Sequence, residues 1–154
     1  MNRSPQEVAQ MRRAWIAPPE GRVIGPGHPA GDLIGAPDWQ LLREELGELE
    51  LAVDLPDALR NPRGNLFGGF LPTYVDLVAL LTARAGTDRS TAGWMMTANM
   101  SVEYLAPVTG PHFRIHSQVA HRGRRTFLID TRFFGAEEEL CAIAMTKLLA
   151  VEAP

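Results

Sequence analysis

The chain has a single cysteine, Cys141, among its 154 residues. An internal disulfide is therefore impossible, which fits a reducing compartment. A surplus of either charge is also missing: 15 Lys and Arg stand against 18 Asp and Glu, for a net charge of −3. A nucleic-acid or anionic-membrane surface needs a basic footprint that this balance does not supply. Long hydrophobic runs are absent too. The longest, Leu77 to Leu81 and with breaks to Ala85, is too short to span a bilayer. The opening Met1-Asn-Arg-Ser-Pro-Gln-Glu lacks the apolar stretch of a secretory signal. The expectation is a soluble, cytoplasmic protein without nucleic-acid or membrane partners. No Gly-x-Gly-x-x-Gly occurs, and no Lys-Ser/Thr follows the glycines at 64–69, so neither nucleotide-binding loop is present. His112 and His116 share a strand face, but four strand residues span about 13 Å, too far for one metal ion. Neither a metal nor a cofactor is expected.

The composition that remains, 45% hydrophobic and 21% charged, is that of a globular domain. Ser4-Pro5-Gln6-Glu7 is a capping box with proline at the first helical position. Val8, Met11, Trp15 and Ile16 recur at helical spacing behind it, so residues 5–16 form a short amphipathic helix. Residues 17–38 carry five prolines and five glycines and read as a loop wrapping the domain or as a tail. The chain thus divides into an N-terminal extension, 1–38, and a main domain, 39–154. His28 lies in the extension and is given no role.

From residue 39 the pattern becomes mostly β. Leu49, Leu51, Val53 and Leu55 alternate with polar or small residues, with Gly47 at a turn before them. The partner segment, Trp39 to Leu46, is compatible with a strand or a helical turn. Phe70 to Ala85 is a long apolar helix ended by Gly86. Four strands follow: Met95–Leu105, His112–His121, Arg125–Phe134 and Leu140–Val151. The first alternates Met96, Ala98, Met100, Val102 and Tyr104 with Thr97, Asn99, Ser101 and Glu103. The last is apolar or small on both faces, as in a sheet interior; Cys141 in it reads as packing. A helix apolar all round must be buried, and a curved antiparallel sheet is its natural cover. The fold class is α+β.

The organising stretch is Asn61-Pro-Arg-Gly64-Asn-Leu-Phe67-Gly68-Gly69, running into the long helix with Asp76 inside it. A helix N-terminus offers unpaired N–H donors and partial positive charge, which suits a developing oxyanion. A carboxylate in an apolar run is costly unless it has a partner or a task. The neighbours of Asp76 one turn away, Pro72, Thr73, Ala79 and Leu80, include no base, so no intrahelical ion pair explains it. A structural aspartate bonded across the core is the plain alternative.

Asn61-x-x-Gly64-x-x-Phe67-Gly68-Gly69, Asp76, the strand Thr97…Tyr104-Leu-Ala-Pro107, the turn Gly123-Arg124 and an Ala142-containing last strand together resemble the hotdog-fold thioesterases. The closest branch is PaaI-like, in the 4-hydroxybenzoyl-CoA thioesterase superfamily, and the resemblance covers roughly residues 39–151. It implies a hotdog fold: a curved antiparallel sheet wrapped around the long helix. To this the chain adds its N-terminal helix and loop. It also implies a homodimer joined through Met95–Leu105 into a continuous sheet, with pairing of dimers into a homotetramer open. By the same resemblance, the Gly68 N–H polarises the thioester carbonyl, Asp76 is general base or nucleophile, Asn61 helps place the water, and Thr97 assists. Phe67, Gly69 and Tyr104 would contact substrate. The turn His121-Arg122-Gly123-Arg124-Arg125 would contact coenzyme A, which enters as part of the substrate. The family motif usually reads His-Gly-Gly; Phe67 takes the place of the histidine. A phenyl ring cannot donate a hydrogen bond, whereas the Gly68 N–H is kept.

Gly68 and Asp76 lie roughly 12 Å apart along one helix, while a donor and a base must each sit about 3 Å from the reacting atoms. If both act on one carbonyl, one must come from a second chain. The expectation is a dimer with composite sites, Asn61 and Gly68 from one chain and Asp76 and Thr97 from the other. Phe70, Tyr74, Trp94, Met95 and Met96 are candidates for lining an acyl pocket near the helix start, or for core. The leading reading is an acyl-CoA thioesterase. The alternative is a non-catalytic hotdog dimer that binds an acyl-CoA or related ligand, which Phe67 favours. Hydratase chemistry ranks last, because no histidine lies near the helix start.

Overall fold

Residues 3–152 are described by a computed structural model, and they build one antiparallel sheet around one long helix. The helix α1 spans Pro5–Ile16 and the short α2 spans Pro29–Leu33. Strands β1 (Gln40–Glu45) and β2 (Glu48–Asp54) precede α3 (Leu71–Arg84). Strands β3 (Trp94–Tyr104), β4 (His112–Arg122), β5 (Thr126–Phe134) and β6 (Leu140–Val151) follow it. The strand order is β1-β2-β4-β5-β6-β3. The connection through α3 carries the chain from β2 near one edge to β3 at the other, so the helix crosses the sheet and touches β2 through β6.

The segment left open between helix and strand is β1, paired with β2 from Gln40↔Ala52 to Glu45↔Glu48. Gly47 makes their turn at a φ of 72°, a conformation that favours glycine. Its N–H bonds Ala85 O at 3.1 Å, docking the hairpin tip on the end of α3. Beside it, Gly86 has a φ of 69°, and a Cβ there would lie 2.7 Å from the Leu46 backbone.

The sheet's inner face supplies Leu49, Leu51, Val53, Ile115, Ile129, Phe133 and Leu148, all fully buried against Tyr74, Val75, Val78 and Leu81 of α3. Tyr74 anchors this layer. Its ring stacks on Trp39 at 5.4 Å and meets Phe113 edge-on at 5.5 Å. Its hydroxyl donates to Ile34 O at 3.2 Å. Three of the buried hydroxyls form a relay, whereas that of Thr146 has no partner among the described residues. Thr82 donates to Val78 O at 2.8 Å, so its one proton is used. Ser117 therefore donates to Thr82, and Thr131 to Ser117, both at 2.9 Å. Cys141 is buried, its Sγ 3.4 Å from Pro107 O.

The Pro/Gly-rich segment wraps the body: Val23, Ile24, Ile34 and Ala36 are fully buried in the same core. His28 caps α2, its Nδ1 accepting the Gly31 N–H at 3.0 Å. The capping box of α1 forms in both directions, Glu7 N–H to Ser4 Oγ at 3.3 Å and Ser4 N–H to Glu7 Oε2 at 2.7 Å. No helix of the described residues is long and apolar enough to cross a membrane.

Two expectations need correction. α3 is not buried all round, because Pro72, Thr73, Asp76, Leu80 and Arg84 are only partly buried. At three- and four-residue spacing they form one stripe facing away from the sheet. The uninterrupted alternation expected of β3 is also broken. A β-bulge shifts its register with β6 between Thr97 and Asn99. One extra residue there turns the strand over. Thr97 therefore shares the helix-facing side with Met100 and Val102, and Met96 points outward, 61% exposed.

Candidate active site

Two small constellations stand at different points along α3. The first is at its start. Asn61 closes its own loop: its Oδ1 accepts the N–H groups of Arg63 at 2.9 Å and Asn65 at 3.2 Å. Gly64 turns that loop at a φ of 82°. Its chain then enters a 3-10 turn, Gly68–Phe70, which leads directly into α3. The Phe70 N–H bonds Phe67 O at 2.9 Å, whereas the Gly68 and Gly69 N–H groups donate to nothing among the described residues. They are the bare donors that a helix start leaves over. Tyr104 fixes the turn from β3, its hydroxyl donating to Gly68 O at 2.8 Å. Phe67 is 53% exposed and meets Phe70 edge-on at 6.0 Å. Its ring lies over the turn so closely that a Cβ on Gly69 would be 2.8 Å from Phe67 Cε1.

The second constellation is halfway along the helix. Asp76 lies on the uncovered stripe, and the Thr97 hydroxyl donates to its Oδ1 at 2.5 Å. No other donor reaches that carboxylate among the described residues. Thr97 is exposed on the edge strand, which pairs only with β6. One carboxylate oxygen is thus oriented by a hydroxyl, and the other is free to take a proton. The bulge in β3 makes this contact; without it Thr97 would face the opposite side of the sheet.

The arginine turn sits at the other end of α3. Arg122 donates to Ala83 O at 3.5 Å and lies 4.9 Å over the Phe127 ring, so it is committed to the fold. The Gly123 N–H bonds Thr126 O at 2.7 Å to close the turn. His121, Arg124 and Arg125 are exposed, and neither arginine is ion-paired among the described residues. In one chain, then, Gly68 and Tyr104 come together, and so do Asp76 and Thr97. The two pairs stay roughly 12 Å apart along the helix, and Arg122 reaches the helix end, farther still. Of the pocket candidates, Tyr74 is core and Met96 points out. Trp94 and Met95 lie beside Leu80 and Arg84, near the helix end rather than its start.

The match to the thioesterase superfamily model runs over residues 63–142, from the loop before Gly68 to β6. The chain belongs to the thioesterase superfamily. Solved structures share its fold. A hypothetical thioesterase with coenzyme A from Streptococcus pneumoniae is 20% identical with a TM-score of 0.66, over 75% of this chain and 87% of that one. A Streptococcus mutans protein bound to acetyl-CoA is 21% identical with a TM-score of 0.65, over 75% and 90%. The E. coli PaaI protein from the phenylacetic acid degradation operon is 16% identical with a TM-score of 0.67, over 81% and 86%. These are hotdog thioesterase folds of the PaaI-like kind. No curated protein matches the sequence.

Proposed function

We propose that the protein hydrolyses acyl-CoA thioesters in the cytoplasm as a homodimer whose two equal sites each draw on both chains. The observation that carries this reading is the Asp76–Thr97 pair. It is a carboxylate on the one uncovered stripe of α3, oriented by a hydroxyl from an edge strand with a free pairing side. Pairing of β3 with its copy about a twofold brings a second α3 alongside. The unpaired Gly68 N–H of that helix can then face the carboxylate, which the 12 Å within one chain forbids. Coenzyme A in one structural neighbour and acetyl-CoA in another support the choice of thioester.

In this arrangement the free oxygen of Asp76 takes a proton from water as the water oxygen attacks the thioester carbonyl carbon. The negative charge that develops on the carbonyl oxygen meets the Gly68 N–H and the positive end of the helix. Collapse of the tetrahedral intermediate breaks the C–S bond, and Asp76 returns its proton to the departing thiolate. Asn61 spends its oxygen on its own loop, so its contribution is an amide N–H or the shape of the glycine turn. Tyr104 holds that turn through Gly68 O, and the missing Cβ of Gly69 leaves room for the Phe67 ring. Arg124 and Arg125, with His121 beside them, are the groups left for the coenzyme A phosphates.

Asp76→Asn keeps the shape and removes the base. Thiol release from acyl-CoA should fall about 10²-fold or more while melting temperature and oligomeric state stay unchanged; turnover at the wild-type rate would refute the assignment. One observation favours a second reading, a dimer that binds acyl-CoA without turning it over: an exposed phenyl ring, Phe67, stands where the family motif has a hydrogen-bonding side chain. Saturable binding with no thiol release over a broad acyl-CoA panel would select it.

A further inference from the structure

α1 lies over the second half of the stripe that faces away from the sheet, with a cavity of about 380 Å³ between them. Its apolar walls include Val8, Met11 and Trp15 of α1, Leu80 of α3 and Met95 of β3. Leu80 is one helical turn beyond Asp76, and Met95 is two residues before Thr97 on the same strand face, so the lining of the cavity comes within about one turn and two strand residues of the carboxylate–hydroxyl pair. The volume lies in the range of pockets that enclose whole small ligands, well beyond what an acetyl group fills. The superfamily match starts at residue 63, so the wall made by α1 lies outside it.

The charged lining is one-sided, with His28 as the remaining titratable side chain. Arg3, Arg12, Arg84 and Arg89 line the cavity, and no Asp or Glu does among the described residues. Arg89 is neutralised by Glu44 at 2.9 Å. Among the described residues no carboxylate pairs with Arg84: it donates to Leu80 O at 2.9 Å and Gly93 O at 3.1 Å, and lies 5.4 Å over the Trp15 ring. Two of its five N–H donors are thereby engaged and its position is fixed. Burial, and then the like charge of Arg89, pull its pKa below the ordinary arginine value, so the cation is under-compensated where it stands. Arg84 is two turns beyond Asp76, roughly 12 Å along the axis, a distance that acetyl or butyryl groups do not bridge.

We infer that this cavity receives the acyl group of the thioester, and that it fits an apolar acyl chain of several carbons ending in a carboxylate, with α1 as its wall and Arg84 meeting its far end. The inference rests on the hydrolase reading for its chemistry, and on the cavity and its arginines for its content. It makes the N-terminal helix a specificity element rather than an ornament on the domain.

The test compares butyryl-, octanoyl- and suberoyl-CoA as substrates of the full-length chain. Wild type should give the largest kcat/KM with suberoyl-CoA and the smallest with butyryl-CoA. Met11→Trp, which fills the cavity, should cut the octanoyl-to-butyryl ratio about tenfold or more. Arg84→Met should cut the suberoyl-to-octanoyl ratio about tenfold. Met11→Ala, which opens the cavity, should raise the octanoyl-to-butyryl ratio, and it covers the case in which tryptophan blocks folding. Acyl profiles unchanged in all three variants would overturn the inference, and a suberoyl-to-octanoyl ratio unmoved by Arg84→Met would overturn the part given to charge. Hydrolysis of none of the three by wild type would mean that the hydrolase reading itself has failed. Calorimetric binding of the same intact thioesters then reads the cavity alone: tighter binding of suberoyl- than butyryl-CoA, weakened by Arg84→Met, sustains it, and equal binding sinks it.

Discussion

The two edges of the sheet are built in opposite ways. β1 is six residues long and carries three charges, Arg43, Glu44 and Glu45. Arg43 is tied to Glu45 at 3.1 Å and to Glu48 at 2.6 Å, and a bulge breaks the register between Leu41 and Arg43. Short length, charge and a bulge are the usual means of stopping an edge from recruiting another strand. β3 is eleven residues long with one charge, Glu103. It leaves Trp94, Met96 and Tyr104 between 42% and 61% exposed. Its bulge protects nothing; it turns Thr97 toward Asp76. In the proposed homodimer the unguarded edge is the one that joins the second chain, and it also carries the candidate chemistry.

The comparison breaks most visibly if a charge is moved. Ser101→Lys puts a cation on the exposed middle of β3 in each copy. Like charges on paired strands repel, so sedimentation at assay concentration should show monomer, and thiol release should fall with it by about 10²-fold or more, because each composite site loses half its parts. Leu42→Lys is the matched change on β1, at a side chain 52% exposed, and should alter neither assembly nor rate. A Ser101→Lys protein that stays dimeric, or a monomer that keeps full activity, would mean that β3 is not the working edge.

Thr97→Val is the next step down. It keeps the shape and removes the hydroxyl that orients Asp76. Hydrogen bonds to charged groups contribute about 1.5–3 kcal/mol, so kcat should fall about 10- to 100-fold, with assembly intact. An unchanged kcat would leave Thr97 a bystander at the strand edge.

How much of this was legible beforehand follows from what repeats in a sequence and what does not. The strands and the long helix declare themselves by periodicity, and Gly47 and Gly86 by the left-handed turns they make. The segment that became β1 was ambiguous because Leu41 and Leu42 are adjacent and a bulge follows, which spoils the alternation. The same physics hid the facing of Thr97: a strand read by period two puts it opposite Met100, and only the bulge brings them to one side. Asp76 stood out as a lone carboxylate, but the stripe around it did not, because Leu80 and Pro72 look like core residues in one dimension. The cavity under α1 was out of reach altogether. Met11 and Trp15 showed a helix face, and nothing local says that this face covers Leu80 and Arg84 rather than any other apolar surface.

The smallest effect concerns the guarded edge alone, and pH reads it. Glu48, at the start of β2, accepts from His116 Nε2 at 2.7 Å and pairs with Arg43 of β1. The hydrogen bond from His116 is the chief reason its carboxyl titrates below the ordinary glutamate value; the charge of Arg43 adds to the effect and partial burial opposes it. A carboxyl lowered in the folded state contributes stability that is fully present above its unfolded pKa. That contribution is lost as pH falls through the folded one. The tie between β1, β2 and β4 should therefore weaken on the acid side and be indifferent between neutral and mildly alkaline pH. Ion pairs this near the surface are worth about 1 kcal/mol or less, a shift of about 3 °C or less in melting temperature for a chain this long. Glu48→Gln should lower the melting temperature by that amount at pH 7 and by nothing once the pH is below the folded pKa, so the two acid limbs converge. Among the described residues the β3 edge holds no such pair. Limbs for Glu48→Gln that run parallel to wild type down to the lowest pH would show that the guarded edge is held by its backbone ladder and not by its charges.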